Sequence, residues 1–167
     1  MVCHLEDRRF VSICAIRVRK SLTLTIMTLG LRNNNPLNIR RVPGQHWRGE
    51  LPSPEGRAGD RLFVQFESIE YGLRAAFCLL ETYRRKYKAV CIEDIINRWA
   101  PPSENDTRKY VETVCRLTGF GGKERLVEDQ LPALVHAMAF VECGAHISKE
   151  TIEQGYNLYV KLKSNSK

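Results

Sequence analysis

Apolar residues recur at helical spacing in five segments of the chain, and this periodicity constrains the possible fold more than any other feature. Polar capping residues such as Ser68 and Asp106 precede the segments, and glycines or prolines follow them. A chain with this pattern builds its core between helices. The predicted helices cover 69–86, 92–99, 107–118 and 131–143, with a fifth after Ser148 that ends before a polar tail at 164–167.

A region rich in β-forming residues precedes these helices. The stretches LNIR at 37–40 and LFVQF at 62–66 favour two short strands. The 43–60 segment between them is rich in glycine and proline, which indicates a loop. We therefore predict an α+β fold that is mostly α-helical and contains a small β-hairpin region. Its single domain spans 27–163, which suits a chain of 167 residues.

The segment 1–26 differs from the rest of the chain. Basic and apolar side chains are mixed there without a helical stripe, and Arg17, Arg19 and Lys20 interrupt the apolar run that a secretory signal needs. A second methionine, Met27, stands where the recognisable pattern begins. We predict that 1–26 is an unstructured or mis-started appendage.

The net charge of +7 favours an anionic partner, such as nucleic acid, anionic lipid or a cell-wall polymer. The sequence holds neither a nucleic-acid-binding motif nor an apolar stretch long enough to cross a membrane, so we expect no nucleic-acid partner and no membrane span. The six cysteines lack C-x-x-C and zinc-ligand spacing, which predicts reduced thiols and no metal. We expect a monomer without a cofactor.

One carboxylate falls on an apolar stripe. Extending the periodicity of the 131–143 helix beyond Met138 and Ala139 brings Glu142 onto the same face, in the last turn. Burial and the negative end of the helix dipole both disfavour a charged carboxylate, so both raise its pKa toward the range of a general acid. The alternative is that Glu142 belongs to the polar rim of the helix, and the spacing leaves this open.

Amide side chains that bind hydroxyls and aromatic faces that pack on pyranose rings indicate sugar recognition. Loops and element ends of this chain supply both kinds. The candidate substrate-binding residues are Asn33, Asn34, Asn35, Asn38, Trp47, Tyr71, Trp99 and Asn105. Two alternatives stay open: the asparagine run can be a structural turn, and the spacing of Trp99 with the isoleucines before it favours a core position.

Three other polar residues require interpretation. Glu67 stands at a strand-to-helix junction, where it faces either a cleft or solvent. Asp106 is most simply the cap of the helix that follows it. His136 lies opposite the apolar stripe of its helix, which predicts a solvated side chain.

Long strings of the sequence resemble a family of phage and prophage proteins that are virion-associated structural or lysozyme-like murein-degrading proteins. The strings are LRNNNPLNIR at 31–40, WRG at 47–49, FVQFESIEYGLRA at 63–75 and RWAPPSENDT at 98–107. The resemblance covers about 29–156, and family members usually begin just before the first string. It implies a lysozyme-like fold that cleaves the glycan strands of peptidoglycan.

The resemblance also suggests site residues. Family members carry Glu-x-Gly near the end of the penultimate helix, and the ECG at 142–144 matches, which implies Glu142 as the general acid. Most lysozyme-like enzymes place this Glu before the hairpin, so the resemblance implies a permuted order. A hydrolase (muramidase) would need a second carboxylate, for which Glu67 is the candidate, whereas a lytic transglycosylase can use Glu142 alone.

Two broader expectations follow from the resemblance. The protein would be made in the bacterial cytoplasm and act on the cell wall or in the periplasm, either in a virion with other virion proteins or separately. The alternative function is a non-catalytic virion structural or wall-binding protein on the same scaffold. Chemistry at Glu142 distinguishes the two.

Overall fold

The computed structural model describes residues 28–52 and 62–164, and this part of the chain is mostly helical. Its helices are α1 (Leu29–Arg32), α2 (Ile69–Tyr87), α3 (Ile92–Trp99), α4 (Thr107–Thr118), α5 (Leu131–Cys143) and α6 (Lys149–Ser164). The five predicted helices are confirmed, and the single turn of α1 is an addition. The last helix continues through Ser164, one residue into the expected tail. The predicted appendage at 1–26 lies outside the described residues.

The two predicted strands are wrong. Within 28–52 and 62–164 the β-pairing is limited to two isolated antiparallel bridges, Arg40 with Phe63 and Glu50 with Phe66. One reason is that Asn38 takes a left-handed conformation with a φ of 51°, which interrupts the extended backbone that 37–40 would need. The expected β-hairpin region is therefore irregular backbone whose turns are fixed by side chains. The predicted 43–60 loop is described only as far as 52.

Asparagine side chains add to the few backbone hydrogen bonds that join these segments, such as that from the Val64 amide to the Ile39 carbonyl at 2.9 Å. The Asn35 amide donates to the carbonyls of Ile39 and Val64 at 2.9 and 2.8 Å, and its Oδ1 accepts from the Ile39 amide at 2.9 Å. The Asn34 amide donates to the carbonyl of Phe66 at 2.9 Å. These bonds join the 33–38 turn to the segment before α2, and they satisfy buried backbone groups that a sheet would otherwise pair.

The centre of the core is α5, which contacts α1, α2, α4 and α6. Its apolar stripe is buried as the periodicity predicts: Leu131, Leu134, Val135, Met138 and Ala139 have no exposed surface. The longest interface is between α2 and α6. They approach closely because Gly155 has no side chain there, since a Cβ would lie 2.5 Å from that of Leu73.

The predicted capping chemistry holds at the start of α4 and the end of α5, whereas Ser68 precedes α2 without a side-chain capping bond. Asp106 caps α4, with its carboxylate accepting from the Lys109 amide at 3.2 Å. Gly144 ends α5 in a left-handed conformation with a φ of 66°. The chain therefore turns away directly after the last turn of α5, where Glu142 lies.

Two further predictions are addressed by the described residues. Cys91, Cys115 and Cys143 form no disulfide in the part of the chain that the structure describes. None of the helices described here is long and apolar enough to span a membrane.

Candidate active site

The carboxylate of Glu142 is held by three hydrogen bonds from three different parts of the chain. The Tyr110 hydroxyl donates to Oε1 at 2.8 Å, and the Trp99 indole Nε1 donates to the same oxygen at 3.2 Å. The Asn38 amide donates to Oε2 at 3.3 Å. The residue as a whole is half-buried, so the carboxyl group is fixed by protein donors while solvent still reaches the residue.

Each donor is positioned by an element whose local sequence explains its place. Trp99 is the last residue of α3, which the prolines at 101 and 102 prevent from continuing. Tyr110 lies in the first turn of α4, on the buried side that packs against α5. Asn38 follows the NNNP turn at 33–36. The helix ends and the turn therefore meet at the last turn of α5.

Burial raises the pKa of Glu142 to about 8. The hydrogen bonds from Tyr110, Asn38 and Trp99 act in the opposite direction because they stabilise the charged form, but burial has the larger effect. These three donors are all neutral groups at pH 7. Glu142 is consequently protonated at neutral pH and can deliver a proton there.

Tyr110 remains a proton donor over the same pH range. Burial, and then the neighbouring charge of Glu142, raise the pKa of its hydroxyl well above the usual value. The ring is only 7% exposed. Tyr110 therefore titrates far above Glu142, and its hydroxyl keeps a hydrogen to donate to that carboxyl group.

The asparagine run divides into structural and site-facing members. Asn34 and Asn35 use their amides on backbone carbonyls, and Asn33 is buried, with a side-chain amide nitrogen that has no hydrogen-bond partner among the described residues. The interpretation as a structural turn therefore holds for Asn34 and Asn35. Asn38 is the member that contacts Glu142.

The aromatic candidates do not surround Glu142 as a group. Trp99 is fully buried, as the core interpretation predicted, so its faces offer no surface for a pyranose ring, and its contribution to the site is the indole N–H. Trp47 and Tyr71 are half-buried. The Tyr71 ring packs closely on Gly49, where a Cβ would lie 2.4 Å from the ring. The Asn105 amide donates to the Pro101 carbonyl at 3.4 Å, within the loop before α4.

Glu67 is exposed, and the described residues give it no side-chain hydrogen bond or ion pair. Its backbone is fixed, since its amide donates to the Gly49 carbonyl at 2.8 Å and its carbonyl accepts from Asn34 at 3.3 Å. In this conformation the groups that contact the Glu142 carboxylate are the three neutral donors, and Glu67 is not one of them.

His136 departs from the solvated position predicted for it. It is half-buried on the far face of α5 and helps to line a cavity of about 490 Å³ between α4, α5 and α6. Burial, and then the nearby His146, lower its pKa. The ring centroids of the two histidines are 6.1 Å apart. This cavity lies on the face of α5 away from the apolar stripe that carries Glu142.

Sequence reasoning overlooked two residues that shape the region. Tyr110 lies on the buried side of α4, and its hydroxyl makes the shortest hydrogen bond to Glu142. A buried tyrosine hydroxyl needs such a partner, and this need is the signal that the sequence offers. Glu50 pairs with Arg41 and accepts from the Trp47 amide at 2.8 Å, so it fixes the turn that carries Trp47.

Metal ligation has no support in the part of the chain that the structure describes, where three or more histidine, cysteine or carboxylate side chains do not cluster. The chemistry available at Glu142 is proton transfer by a single carboxylic acid.

The described residues define a mostly α-helical protein in which the carboxyl group of Glu142, with its raised pKa, accepts hydrogen bonds from three neutral donors. No protein-family model matches the chain. It is 38% identical over 130 residues to Protein P5 of Pseudoalteromonas phage PM2, an alignment that covers 76% of this chain and 79% of the phage protein. The chain belongs to the family of that phage protein.

Proposed function

We propose that this protein cleaves the glycan strands of peptidoglycan, with Glu142 as the general acid and base. The observation that carries the proposal is the carboxyl group of Glu142, which accepts hydrogen bonds from three neutral donors and whose pKa burial raises to about 8. Departure of a sugar alkoxide requires a proton at the glycosidic oxygen, and an acid with a pKa near the working pH supplies it efficiently. The fold would be a lysozyme-like arrangement with permuted order.

A single-carboxylate mechanism agrees best with the surroundings of Glu142 and Glu67. A muramidase would use a second carboxylate, about 5–9.5 Å from the first, to act on the other face of the sugar. The candidate for it, Glu67, is exposed, and the described residues give its side chain no hydrogen bond or ion pair that would hold it there. A lytic transglycosylase needs only Glu142, which first protonates the leaving oxygen and then removes the proton of the muramic acid 6-hydroxyl as that oxygen attacks. We favour the transglycosylase.

Charge and relationship both suit a phage protein that acts at the cell wall. Peptidoglycan is anionic, and the net charge of +7 attracts it. The relative is a phage protein. The protein would be made in the bacterial cytoplasm and reach the wall or periplasm, with virion association and contacts to other virion proteins as one route. Candidate sugar contacts at the surface are Asn38, Trp47 and Tyr71.

The test is digestion of purified murein sacculi by the wild type, Glu142→Gln and the matched control Glu112→Gln. Glu112 is an exposed residue of α4 that pairs only with Arg108 among the described residues, so its substitution removes one carboxylate without touching the site. We expect soluble muropeptides with 1,6-anhydro ends from the wild type and the control, and their loss in Glu142→Gln. Reducing ends would instead indicate a muramidase.

The non-catalytic alternative predicts a different result in the same assay. If the wild type binds sacculi in a pull-down but releases no muropeptides, the protein is a wall-binding or virion structural protein. If Glu142→Gln and the wild type release muropeptides equally, Glu142 is not the acid. Each of these results contradicts the proposal.

A further inference from the structure

We propose that Tyr110 is a positioning residue that, together with Trp99, keeps one oxygen of Glu142 as the carbonyl, so that the acid carries its proton on the oxygen that faces Asn38. The assignment rests on the proposed function for its catalytic meaning. Its structural claim concerns only the protonated carboxyl group, and it can be tested without substrate.

The distribution of donors between the two oxygens distinguishes them. Oε1 accepts from Tyr110 at 2.8 Å and from Trp99 at 3.2 Å, whereas Oε2 accepts from Asn38 alone at 3.3 Å. In a carboxylic acid the carbonyl oxygen is the better acceptor and the hydroxyl oxygen is the donor. The oxygen that two donors approach is therefore the carbonyl, and the proton belongs on Oε2.

The Trp99 indole distinguishes the two oxygens because its N–H can donate a hydrogen bond but cannot accept one. Trp99 Nε1 can only donate, and its ring is fully buried, so it cannot turn to accept a proton from Oε1. Tyr110 could in principle accept from a protonated Oε1 and donate to the Met138 carbonyl. The Tyr110 hydroxyl oxygen lies 3.5 Å from the Met138 carbonyl and 2.8 Å from Oε1. Because Met138 is an interior residue of α5, its carbonyl already accepts a hydrogen bond from an amide of the same helix. The shorter contact favours donation to Oε1.

The assignment fixes the side from which a substrate is protonated. The O–H bond at Oε2 breaks, a new O–H bond forms at the glycosidic oxygen, and the electrons of the broken C–O bond stay with that oxygen. Oε2 then carries the negative charge, and the Asn38 amide donates to it. The scissile bond must therefore approach on the side of the 33–38 turn. Asn38 is half-buried, so part of its surface on that side is exposed.

Infrared spectroscopy of the full chain, with ¹³C at the glutamate carboxyl carbon, tests the assignment directly. Difference spectra across the titration of Glu142 identify the C=O stretch of its protonated form. We expect this band in the wild type at the low wavenumber of a carbonyl that accepts two hydrogen bonds. Tyr110→Phe removes one of them and keeps the ring, so the band should move to higher wavenumber.

Two further variants provide the comparison. Tyr156→Phe also removes one hydroxyl and should leave the band unchanged. This hydroxyl is not among the donors to Glu142, since it donates to the Glu128 carbonyl at a distance of 3.5 Å. Asn38→Ala removes the donor to Oε2 and should leave the C=O stretch nearly in place. Removing either donor to Glu142 favours the neutral form, so its pKa should rise by about 0.5–1 unit in Tyr110→Phe. The titratable neighbours whose own changes must be separated are Tyr110 and Cys143.

Three results would overturn the assignment. The first is a C=O stretch of wild-type Glu142 at the wavenumber of a carbonyl without hydrogen bonds, which needs no variant to be observed. A band that moves in Asn38→Ala and not in Tyr110→Phe would place the proton on Oε1. A pKa of Glu142 that is equal in the wild type and Tyr110→Phe would remove Tyr110 from the positioning role. None of these readouts depends on murein cleavage, so a failed proposed function gives a separate result.

Discussion

Asn38 and Glu142 are 104 residues apart in the sequence and are joined by a hydrogen bond of 3.3 Å between Nδ2 and Oε2. The same amide lies 3.5 Å from the Glu142 backbone carbonyl. The contact connects the turn that follows α1 to the last turn of α5, two elements that are far apart in the chain. It means that the candidate acid is held in place by tertiary structure and not by its own helix alone.

The raised pKa of Glu142 predicts that the protein loses stability as the pH rises. Folded Glu142 keeps its proton up to a pKa of about 8, whereas in the unfolded chain it releases the proton near its ordinary pKa of 4.5. Between these values the folded state binds more protons, so the free energy of unfolding falls with increasing pH. Below pH 4.5 this contribution is fully present, and above pH 8 it is lost.

Thermal unfolding of the wild type and Glu142→Gln between pH 5 and 9 measures this contribution. The glutamine stays neutral, so the melting temperature of the variant should depend less on pH and should exceed that of the wild type most clearly above pH 8. Equal pH dependence in the two proteins would show that Glu142 titrates with an ordinary pKa. Glu112→Gln serves as the control, because that side chain is exposed.

The same protonation state predicts the shape of the pH–rate profile. Murein cleavage needs Glu142 in its acid form, so the rate should fall above a pH of about 8. At the pH optimum of the wild type, Glu142→Gln should cleave murein about 10²–10⁴-fold more slowly than the wild type does. The measurement is muropeptide release from sacculi at constant ionic strength. A profile that is flat through pH 9 would argue against Glu142 as the proton donor.

The sequence predicted the position of Glu142 better than it predicted its surroundings. The helical spacing of α5 determines which residues share a face, so the burial and raised pKa of Glu142 follow from local pattern. Trp99, Tyr110 and Asn38 come from two other helices and a turn, and the packing that brings them together is not encoded in any short segment. The strands failed for a related reason: the left-handed Asn38 and the side-chain bonds of Asn35 fix a turn, and the backbone pairing is limited to isolated bridges.

Asp106 offers a test of the capping chemistry that precedes Tyr110. Its carboxylate accepts from the Lys109 amide at 3.2 Å at the start of α4. Asp106→Ala should cost about 1 kcal/mol of unfolding free energy, as loss of an N-cap typically does. Glu112→Ala on the same helix should change it by less than about 0.5 kcal/mol. Urea unfolding at pH 7 measures both. If cleavage collapses in Asp106→Ala while stability stays constant, Asp106 belongs to the site.

Asn35 and Asn38 form a matched pair, because the same substitution at two neighbouring positions of one turn should affect different properties. Asn35 is 1% exposed and makes three hydrogen bonds to backbone groups of Ile39 and Val64. Asn35→Ala removes the side-chain partner of the Ile39 amide and of the Val64 carbonyl, whereas the Ile39 carbonyl still accepts from the Val64 amide at 2.9 Å. Each unsatisfied group costs about 1–3 kcal/mol, so the unfolding free energy should fall by at least about 2 kcal/mol.

Asn38→Ala should reduce murein cleavage more than it reduces stability. Asn38 is half-buried, and its amide makes long contacts of 3.3 and 3.5 Å to Glu142, so its loss should cost less than about 1 kcal/mol of unfolding free energy. Murein cleavage should nevertheless fall by roughly tenfold, because Oε2 loses the donor that stabilises its charge after proton transfer, worth about 1.4 kcal/mol in the transition state. Chemical denaturation and muropeptide release, measured on both variants, separate the two roles. If Asn38→Ala is as unstable as Asn35→Ala, or cleaves as fast as the wild type, then Asn38 is a further structural member of the turn.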